Sequence, residues 1–487
     1  MRLTAIAAGS TMLAASFAGL VEAAEITEQG ARNLQAELTR FLPDWLAKSG
    51  FIAVTPDGTR YAIVYQFAKL LEGVDSKVLT VDGLQPMKMF AAPLDGGLWK
   101  VEGNDSIDIS GQAKPPGEAA THFNYSVGTF VYSGVFDPAI TYFRSGEARV
   151  KDLRATSITG SDKVVFRLED RLQTFGAVDG SDGATVDFTS NSTGSSFYQQ
   201  MTSRNPDVTI EVRAENVAAQ ADAKGVLARE LRELVIFLAD HLQEERLTQA
   251  SSARLKELVR ASMPMFSSAQ ETVTASNVSV TTHAGDFGLR QVAYNLSLSG
   301  LSEASRLGLS FSTDGFDLGS LRVPAAYAPF VPETTETQIH VPGLNFRGFV
   351  DDVLKFDLAN PENISPAELE KAGKAIFPND TVTVEFPKIA ARSPAYDLEV
   401  SGNVTSSVSR SDQFALDASI YARDYDATIA AVQKAARSDP QLNQLSLGLM
   451  MAKGFAKTEP DGRQRWDVRI GSDGSVSVNG QVLTGAR

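Results

Sequence analysis

Side chains that could bind a metal ion or act as nucleophiles are sparse in this sequence. The chain contains no cysteine, which excludes thiolate ligands, cysteine nucleophiles and disulfides. Gly300–Ala304 and Gly308–Ser312 come near the G-x-S-x-G nucleophile elbow, but both lie in alternating strands or their turns. No two of the four histidines have a spacing typical of metal ligands on a helix or hairpin: His122, His241, His283 and His340. The sequence therefore predicts no metal and no cofactor.

Acidic residues supply the remaining candidates for chemistry. Asp179–Gly183, followed by Asp187, could gather oxygen ligands for calcium, but it lacks the calcium-loop spacing and is typical of a hairpin turn. Asp351 and Asp352 are adjacent at a predicted helix start, where carboxylates favour the helix dipole. No P-loop, dinucleotide fingerprint or zinc-protease helix is present. We therefore predict that the protein is not an enzyme, and a hydrolase without an identified site ranks third among its functions.

The composition of the chain limits which classes of molecule it is expected to bind. The chain has 487 residues, 43% of them hydrophobic, which indicates a folded globular protein rather than a disordered one. Its formal net charge is −14 at pH 7, and no cluster of Lys and Arg interrupts that acidic balance. Nucleic acid is bound through such clusters, so it is not a predicted partner.

The N-terminus has the pattern of a signal peptide over residues 1–23. Arg2 is followed by the apolar or small run Leu3–Leu20, and Val21-Glu22-Ala23 fits a cleavage site near Ala23. An uncleaved membrane anchor is the alternative, although the run is rich in Ala, Gly, Ser and Thr. No later segment has transmembrane length. An exported, acidic, cysteine-free chain indicates the bacterial periplasm as its location.

The chain is organised around Ala214–Phe266, where apolar residues recur at three- and four-residue steps. The polar break Thr248–Ser252 predicts a helical hairpin, which could serve only as a packing element. On either side the pattern changes to a two-residue alternation, which is typical of antiparallel strands with one apolar face. The predicted fold class is α+β, with large antiparallel β-sheets in two strand-rich halves separated by this hairpin. No residue-level repeat supports a duplication.

The predicted segments follow from these patterns. Residues 24–213 form an N-terminal helix (Thr27–Ser49, interrupted at Pro43) and a meander of short strands. Residues 267–422 form the second strand-rich half, with a Pro-rich arm at 323–343 that proline should keep out of the sheet interior. Within it, Ser365 and Glu368 form a predicted capping box. Residues 423–487 form two helices and a hairpin, whose strands Arg465–Ile470 and Ser475–Leu483 are joined by Gly471–Gly474.

Three segments resemble an exported alphaproteobacterial family known as domain of unknown function 2125: Gly134–Pro138, Gly183–Asn191 and Asp473–Gly480. The resemblance covers most of the chain that follows the signal peptide. The family is distantly similar to periplasmic sheet proteins of the AsmA type, which are thought to handle lipids at the cell envelope. The resemblance implies a periplasmic location and provides no catalytic residues.

Two functions from different classes follow. The first is a non-enzymatic envelope protein that binds lipid or another apolar ligand on a curved β-sheet, with Leu296, Leu298, Leu309 and Phe311 as ligand-binding residues. If the two halves instead pack face to face, no such groove exists. The second is a structural or assembly factor with an envelope protein partner, bound through Tyr327, Phe330 and Val331 of the Pro-rich arm. The ordinary alternative is that this segment is a loop whose aromatic residues pack on the body of the protein.

Overall fold

A computed structural model describes residues 26–485, except 40, 41, 43, 73, 116, 205, 206, 242, 243, 245, 411 and 412. Strands hold 52% and helices 22% of the described residues, so the predicted α+β class with large antiparallel sheets is confirmed. The predicted signal peptide lies outside the described residues. The chain divides into two compact units: the first runs to Ser268 and includes Asp357–Asn363, and the second comprises Ala269–Phe356 and the residues from Ile364 onward.

The first unit contains an antiparallel meander. Its strands are β1 (Ile52–Asp57), β2 (Arg60–Tyr65), β3 (Leu79–Asp82), β4 (Met87–Pro93), β5 (Trp99–Ala113), β6 (Thr121–Asp137), β7 (Tyr142–Thr159), β8 (Asp162–Asp179), β9 (Val186–Arg204) and β10 (Asp207–Val226). Each strand from β5 to β10 pairs with the next along the chain. β4 and β3 pair with successive stretches of β5, and β2 joins β1 to β4. The predicted meander is confirmed, with strands much longer than predicted.

The described residues of this unit also form the α-helices α1 (Glu28–Thr39), α2 (Asp44–Lys48), α3 (Ala228–Asp240) and α4 (Gln249–Ala261). α1 buries Leu34 and Leu38 in a core that includes Tyr61 and Trp99. Gln35 Oε1 also accepts a hydrogen bond from the backbone N–H of Val54 at 3.1 Å. α1 and α2 account for the predicted interruption of the N-terminal helix, and Pro43 itself lies outside the described residues.

The prediction that a helical hairpin over 214–266 separates two halves is wrong. Residues 214–226 continue β10 and pair with β9 as far as Val226. This stretch contains Val217–Ala221, whose alanines favour a helix in isolation, but backbone pairing with β9 overrides that weak propensity. Among the residues of this segment that the structure describes, the helical part is α3 and α4, and both belong to the first unit.

The second unit contains another antiparallel array. Its strands are β11 (Ser268–Thr282), β12 (Gly285–Leu298), β13 (Ser305–Asp317), β14 (Thr334–Leu344), β15 (Thr381–Ser393), β16 (Tyr396–Ser407), β17 (Phe414–Arg423), β18 (Lys457–Thr458), β19 (Gln464–Ile470), β20 (Val476–Val478) and β21 (Gln481–Thr484). Neighbours pair in sequence from β11 to β17, and β17 then pairs with β19. β19 also pairs with β18 and β20, and β20 with β21.

Helices connect some of these strands. α5 (Phe346–Val353) and α6 (Pro366–Lys374) join β14 to β15, and α7 (Tyr425–Ala436) and α8 (Leu442–Lys453) join β17 to β18. α6 begins with the predicted capping box, in which Ser365 and Glu368 each bond the other's backbone N–H. Asp351 and Asp352, predicted at a helix start, lie in the last turn of α5, where Asp351 pairs with Arg347 at 3.2 Å.

Two further strand predictions are corrected. Much of the Pro-rich arm, from Thr334 to Gly343, is not excluded from the sheet but forms β14, which pairs on both sides. Pro342 is tolerated there because it lies at a register shift against β13, where the ladder of hydrogen bonds is interrupted. The predicted single strand Ser475–Leu483 is two strands, because Asn479 and Gly480 have φ angles of 51° and 83° and form a tight turn.

Candidate functional site

The register of β12–β15 places apolar side chains on one face of the sheet in the second unit. Leu296 lies opposite Leu309, which lies opposite Ile339 on the next strand. Directly opposed residues in an antiparallel pair point to the same face, and every second residue along a strand shares it. We call this set the open apolar face: Tyr294, Leu296, Leu298, Leu307, Leu309, Phe311, Ile339, Val341 and Ile389.

These side chains remain in contact with solvent. The exposed fraction is 44% for Leu296, 47% for Leu309 and 45% for Phe311, while Leu298 is half-buried. Tyr294, Leu307 and Ile389 are exposed to similar extents. Scattered exposed apolar residues are ordinary, but adjacent ones on neighbouring strands form a patch of the kind that marks a binding surface. Within the described residues of the second unit, these side chains remain open to solvent.

The opposite face of the same strands is polar. Glu336 pairs with Lys388 at 2.5 Å, and Arg306 reaches Glu385 at 2.7 Å. The hydrogen bond from Lys388 holds the pKa of Glu336 below its usual range. A charged, hydrogen-bonded face is stable in water, so the sheet has one face suited to solvent and one that is not. The two-residue alternation in the sequence determines this difference.

The apolar face continues across the sheet to β17 and β19, where helices cover it. Ile389 lies opposite Val400, which is followed across the strands by Ile420 and Trp466. There Trp466 and Ile420 pack with Ile429 of α7 and Leu449 of α8. The indole N–H of Trp466 also donates to the backbone oxygen of Ala452 at 2.7 Å. The two helices therefore cover the face at β17 and β19 and leave it open from β12 to β15.

Tyr294 is the polar group within the open apolar face. The pKa of Tyr294 is raised above its usual value, mainly by burial and to a lesser extent by the carboxylate of Glu271. Glu271 lies opposite Leu296 and so borders the face on the side of β11. At neutral pH the Tyr294 hydroxyl is therefore protonated and able to donate a hydrogen bond.

All four predicted ligand-binding residues lie on this one face: Leu296, Leu298, Leu309 and Phe311. Tyr294 and Leu307 belong to the same alternating runs but are not among the predicted ligand-binding residues. Ile389 could not be placed from sequence, because a register shift between Phe386 and Ile389 breaks the alternation in β15. Whether these residues bind a ligand stays a prediction.

The predicted partner-binding residues Tyr327, Phe330 and Val331 lie in the loop between β13 and β14, and all three are half-buried. The Tyr327 hydroxyl donates to the carboxylate of Asp439, in the loop between α7 and α8. This hydrogen bond raises the pKa of Tyr327 and lowers that of Asp439. The contact joins this part of the Pro-rich arm to the helices of its own unit, and partner binding stays a prediction.

Other candidate sites are less suited to ligands. An open cavity of about 390 Å³, lined by Leu416, Asp417 and Arg469 among others, has a mixed polar wall crossed by the Asp417–Arg469 ion pair at 3.0 Å. In the predicted Asp-Gly hairpin, Asp182 accepts hydrogen bonds from the N–H groups of Ala184 and Thr185, as expected for a turn. Among the described residues, no three His, Asp or Glu side chains are grouped so that they could hold a metal ion.

The site and fold define a strand-dominated α+β protein with an open apolar sheet face. Neither a family model, nor a curated protein, nor a solved structure matches the chain. Over the described residues, no helix is both long enough and apolar enough to cross a membrane.

Proposed function

We propose that this protein is a non-enzymatic envelope protein that binds a lipid chain or another extended apolar molecule on its open apolar face. The observation that carries the proposal is the row of exposed Leu and Phe side chains on adjacent strands, with Leu309 at its centre. Such a face gains free energy whenever an apolar molecule displaces water from it.

The size of the face favours a long ligand. Four strands spaced at about 4.8 Å make the face roughly 14 Å wide. Covering the exposed half of a Leu or Phe side chain contributes about 1 kcal/mol, so six such residues contribute about 6 kcal/mol. Association alone costs at least about 4 kcal/mol, so a small apolar molecule would bind weakly. An extended chain, which covers several strands at once, suits this surface better.

An envelope location is part of the proposal. It is supported by the signal-peptide pattern of residues 1–23, by the absence of cysteine and by the resemblance to exported proteins carried by Gly134–Pro138 and Asp473–Gly480. Lipids and other apolar molecules are abundant in that compartment. Binding is proposed rather than catalysis because the open face provides contact area, with Tyr294 as its polar group.

The experiment is native mass spectrometry of the protein purified from envelope extracts, followed by organic extraction of whatever is bound. We expect one apolar molecule per chain and at least a tenfold loss of it in Leu309→Glu, because a carboxylate at the centre of the face must be desolvated when the ligand binds. Ser310→Glu is the matched control, since it adds the same charge to the same strand on the opposite face.

Each outcome is informative provided that both variants melt as the wild-type protein does. An apo mass that persists after incubation with envelope lipids would contradict the proposal. The assembly function would then take precedence, and cross-linking would be used to compare the intact chain with one lacking Pro324–Pro332. Equal ligand retention in Leu309→Glu and Ser310→Glu would place the ligand elsewhere.

A further inference from the structure

Helix α8 is apolar on its outer side as well as on its inner side. Leu449 packs inward against the Trp466 core, whereas Leu447 and Met451 are 56% and 63% exposed. Leu445 and Met450 are also exposed, at 50% and 45%. A helix that is apolar all round is normally covered on both sides. The outer side of α8 is therefore expected to have an occupant.

Strand β21 carries two further exposed apolar residues, Val482 and Leu483, at 70% and 50%. Val482 lies opposite Ser477, whose neighbour Val478 packs in the Trp466 core, so Val482 points to the face of the sheet away from α8. The turn before β21 is joined to the end of α8, because the Asn479 side-chain amide donates to the backbone oxygen of Phe455 at 2.6 Å. We call the exposed residues of α8 the C-terminal apolar surface: Leu445, Leu447, Met450 and Met451.

The net charge of the segment that contains α7 and α8 is opposite in sign to that of the whole chain. The chain carries −14, but residues 425–457 contain four basic and two acidic residues, which gives +2. The acidic ones are Asp426, which pairs with Lys453, and Asp439, which accepts from Tyr327. Residues 440–458 contain no acidic residue. The basic residues are Lys434, Arg437, Lys453 and Lys457, of which Lys457 lies 3.9 Å from Asp467.

We propose that the C-terminal apolar surface docks on an anionic lipid bilayer, with its Leu and Met side chains inserted at the interface and the surrounding Lys and Arg side chains against the headgroups. Combined apolar burial and attraction to anionic lipid is how surface-bound helices attach to membranes. Charge favours a bilayer over a second copy of the chain, because two copies would bring positive segments of like sign together within molecules that already repel through −14 each.

This docking surface is distinct from the open apolar face, and the proposal does not depend on a ligand being bound there. α7 and α8 cover the end of the sheet face that continues into the open part. Docking through α8 would therefore bring that face of the second unit close to a bilayer, from which an apolar chain could be taken up.

The test is flotation of the full chain, without residues 1–23, with vesicles of phosphatidylglycerol and phosphatidylethanolamine or of phosphatidylcholine alone. We expect binding to the anionic vesicles that weakens with added salt, and at least a tenfold weaker affinity for the double variant Leu447→Glu/Met451→Glu. The matched control is Val235→Glu/Leu238→Glu on α3, where the native side chains are 58% and 48% exposed. This control should bind as the wild-type protein does.

Three results would overturn the proposal: no binding to anionic vesicles, equal losses in the two double variants, or a dimer in sedimentation velocity that becomes monomeric in Leu447→Glu/Met451→Glu while vesicle binding persists. The last result would assign the surface to a second copy. Leu309→Glu separates the two proposals, because it should lose its carried molecule and still float with vesicles.

Discussion

At the scale of single residues, Asp137 explains part of the segment Gly134–Pro138. This residue is 6% exposed, and its carboxylate accepts from the N–H of Ala139 at 2.8 Å and from Arg144 at 2.7 Å. Arg144 also reaches Asp179 at 2.8 Å, on the neighbouring strand β8. Gly134–Pro138 therefore has a structural role, in which the buried carboxylate of Asp137 fixes the connection between β6 and β7.

We expect Arg144→Met to lower the free energy of unfolding by about 2 kcal/mol, because the buried carboxylate of Asp137 then lacks its charged partner. Arg154→Met should change it by less than about 0.5 kcal/mol, since exposed ion pairs contribute little. The Arg154 side chain is 68% exposed and lies 3.9 Å from Asp152. Urea titration of the two variants measures the difference, and equal losses would show that Asp137 does not depend on Arg144.

At the scale of elements, the turn at Asn479 joins a strand pair to a helix. The side-chain oxygen of Asn479 accepts from the N–H of Asp467 at 2.8 Å. Its amide donates to the backbone oxygens of Phe455 and Arg465 at 2.6 and 3.2 Å. One side chain thus provides hydrogen-bond partners for backbone groups of β19 and of the residues that follow α8.

Asn479→Ala should lower the free energy of unfolding by about 2 to 3 kcal/mol, because it leaves partly buried backbone groups without partners. Asn443→Ala is the control, since its side chain makes one exposed hydrogen bond to Pro440. It should change stability by less than about 0.5 kcal/mol. Guanidinium titration and limited proteolysis of the C-terminal segment would record both, and a protease-resistant Asn479→Ala variant would contradict the assigned role.

Helices and strands could be predicted only where the local sequence marks them. Helix α6 was predicted because Ser365, Pro366 and Glu368 are local signals for a helix start. The full length of strand β9 could not be predicted from sequence, because its polar run Thr189–Ser196 has no two-residue apolar alternation. These residues are held by backbone pairing with β8 and β10, which local sequence does not reveal.

At the scale of the whole molecule, the proposed export can be tested directly. Expressed in a Gram-negative host, the chain should appear in the periplasmic fraction with a new N-terminus next to Ala23, because small residues at that position permit cleavage. Ala23→Arg should block processing, while Thr27→Arg, beyond the site, should not. Fractionation with N-terminal sequencing measures this, and unprocessed wild-type protein in the cytoplasm would contradict export.

The strand-rich class and the two different faces of β12 and β13 could be predicted from local sequence, because alternation along a strand decides which side chains share a face. The alternation also identified Leu296, Leu298, Leu309 and Phe311 as members of one face. Two features became visible only in the folded chain: this face is exposed at Leu309 and covered at Trp466, and residues 214–226 extend β10. Coverage and strand extension depend on contacts between residues far apart in the chain, and those contacts leave no local pattern.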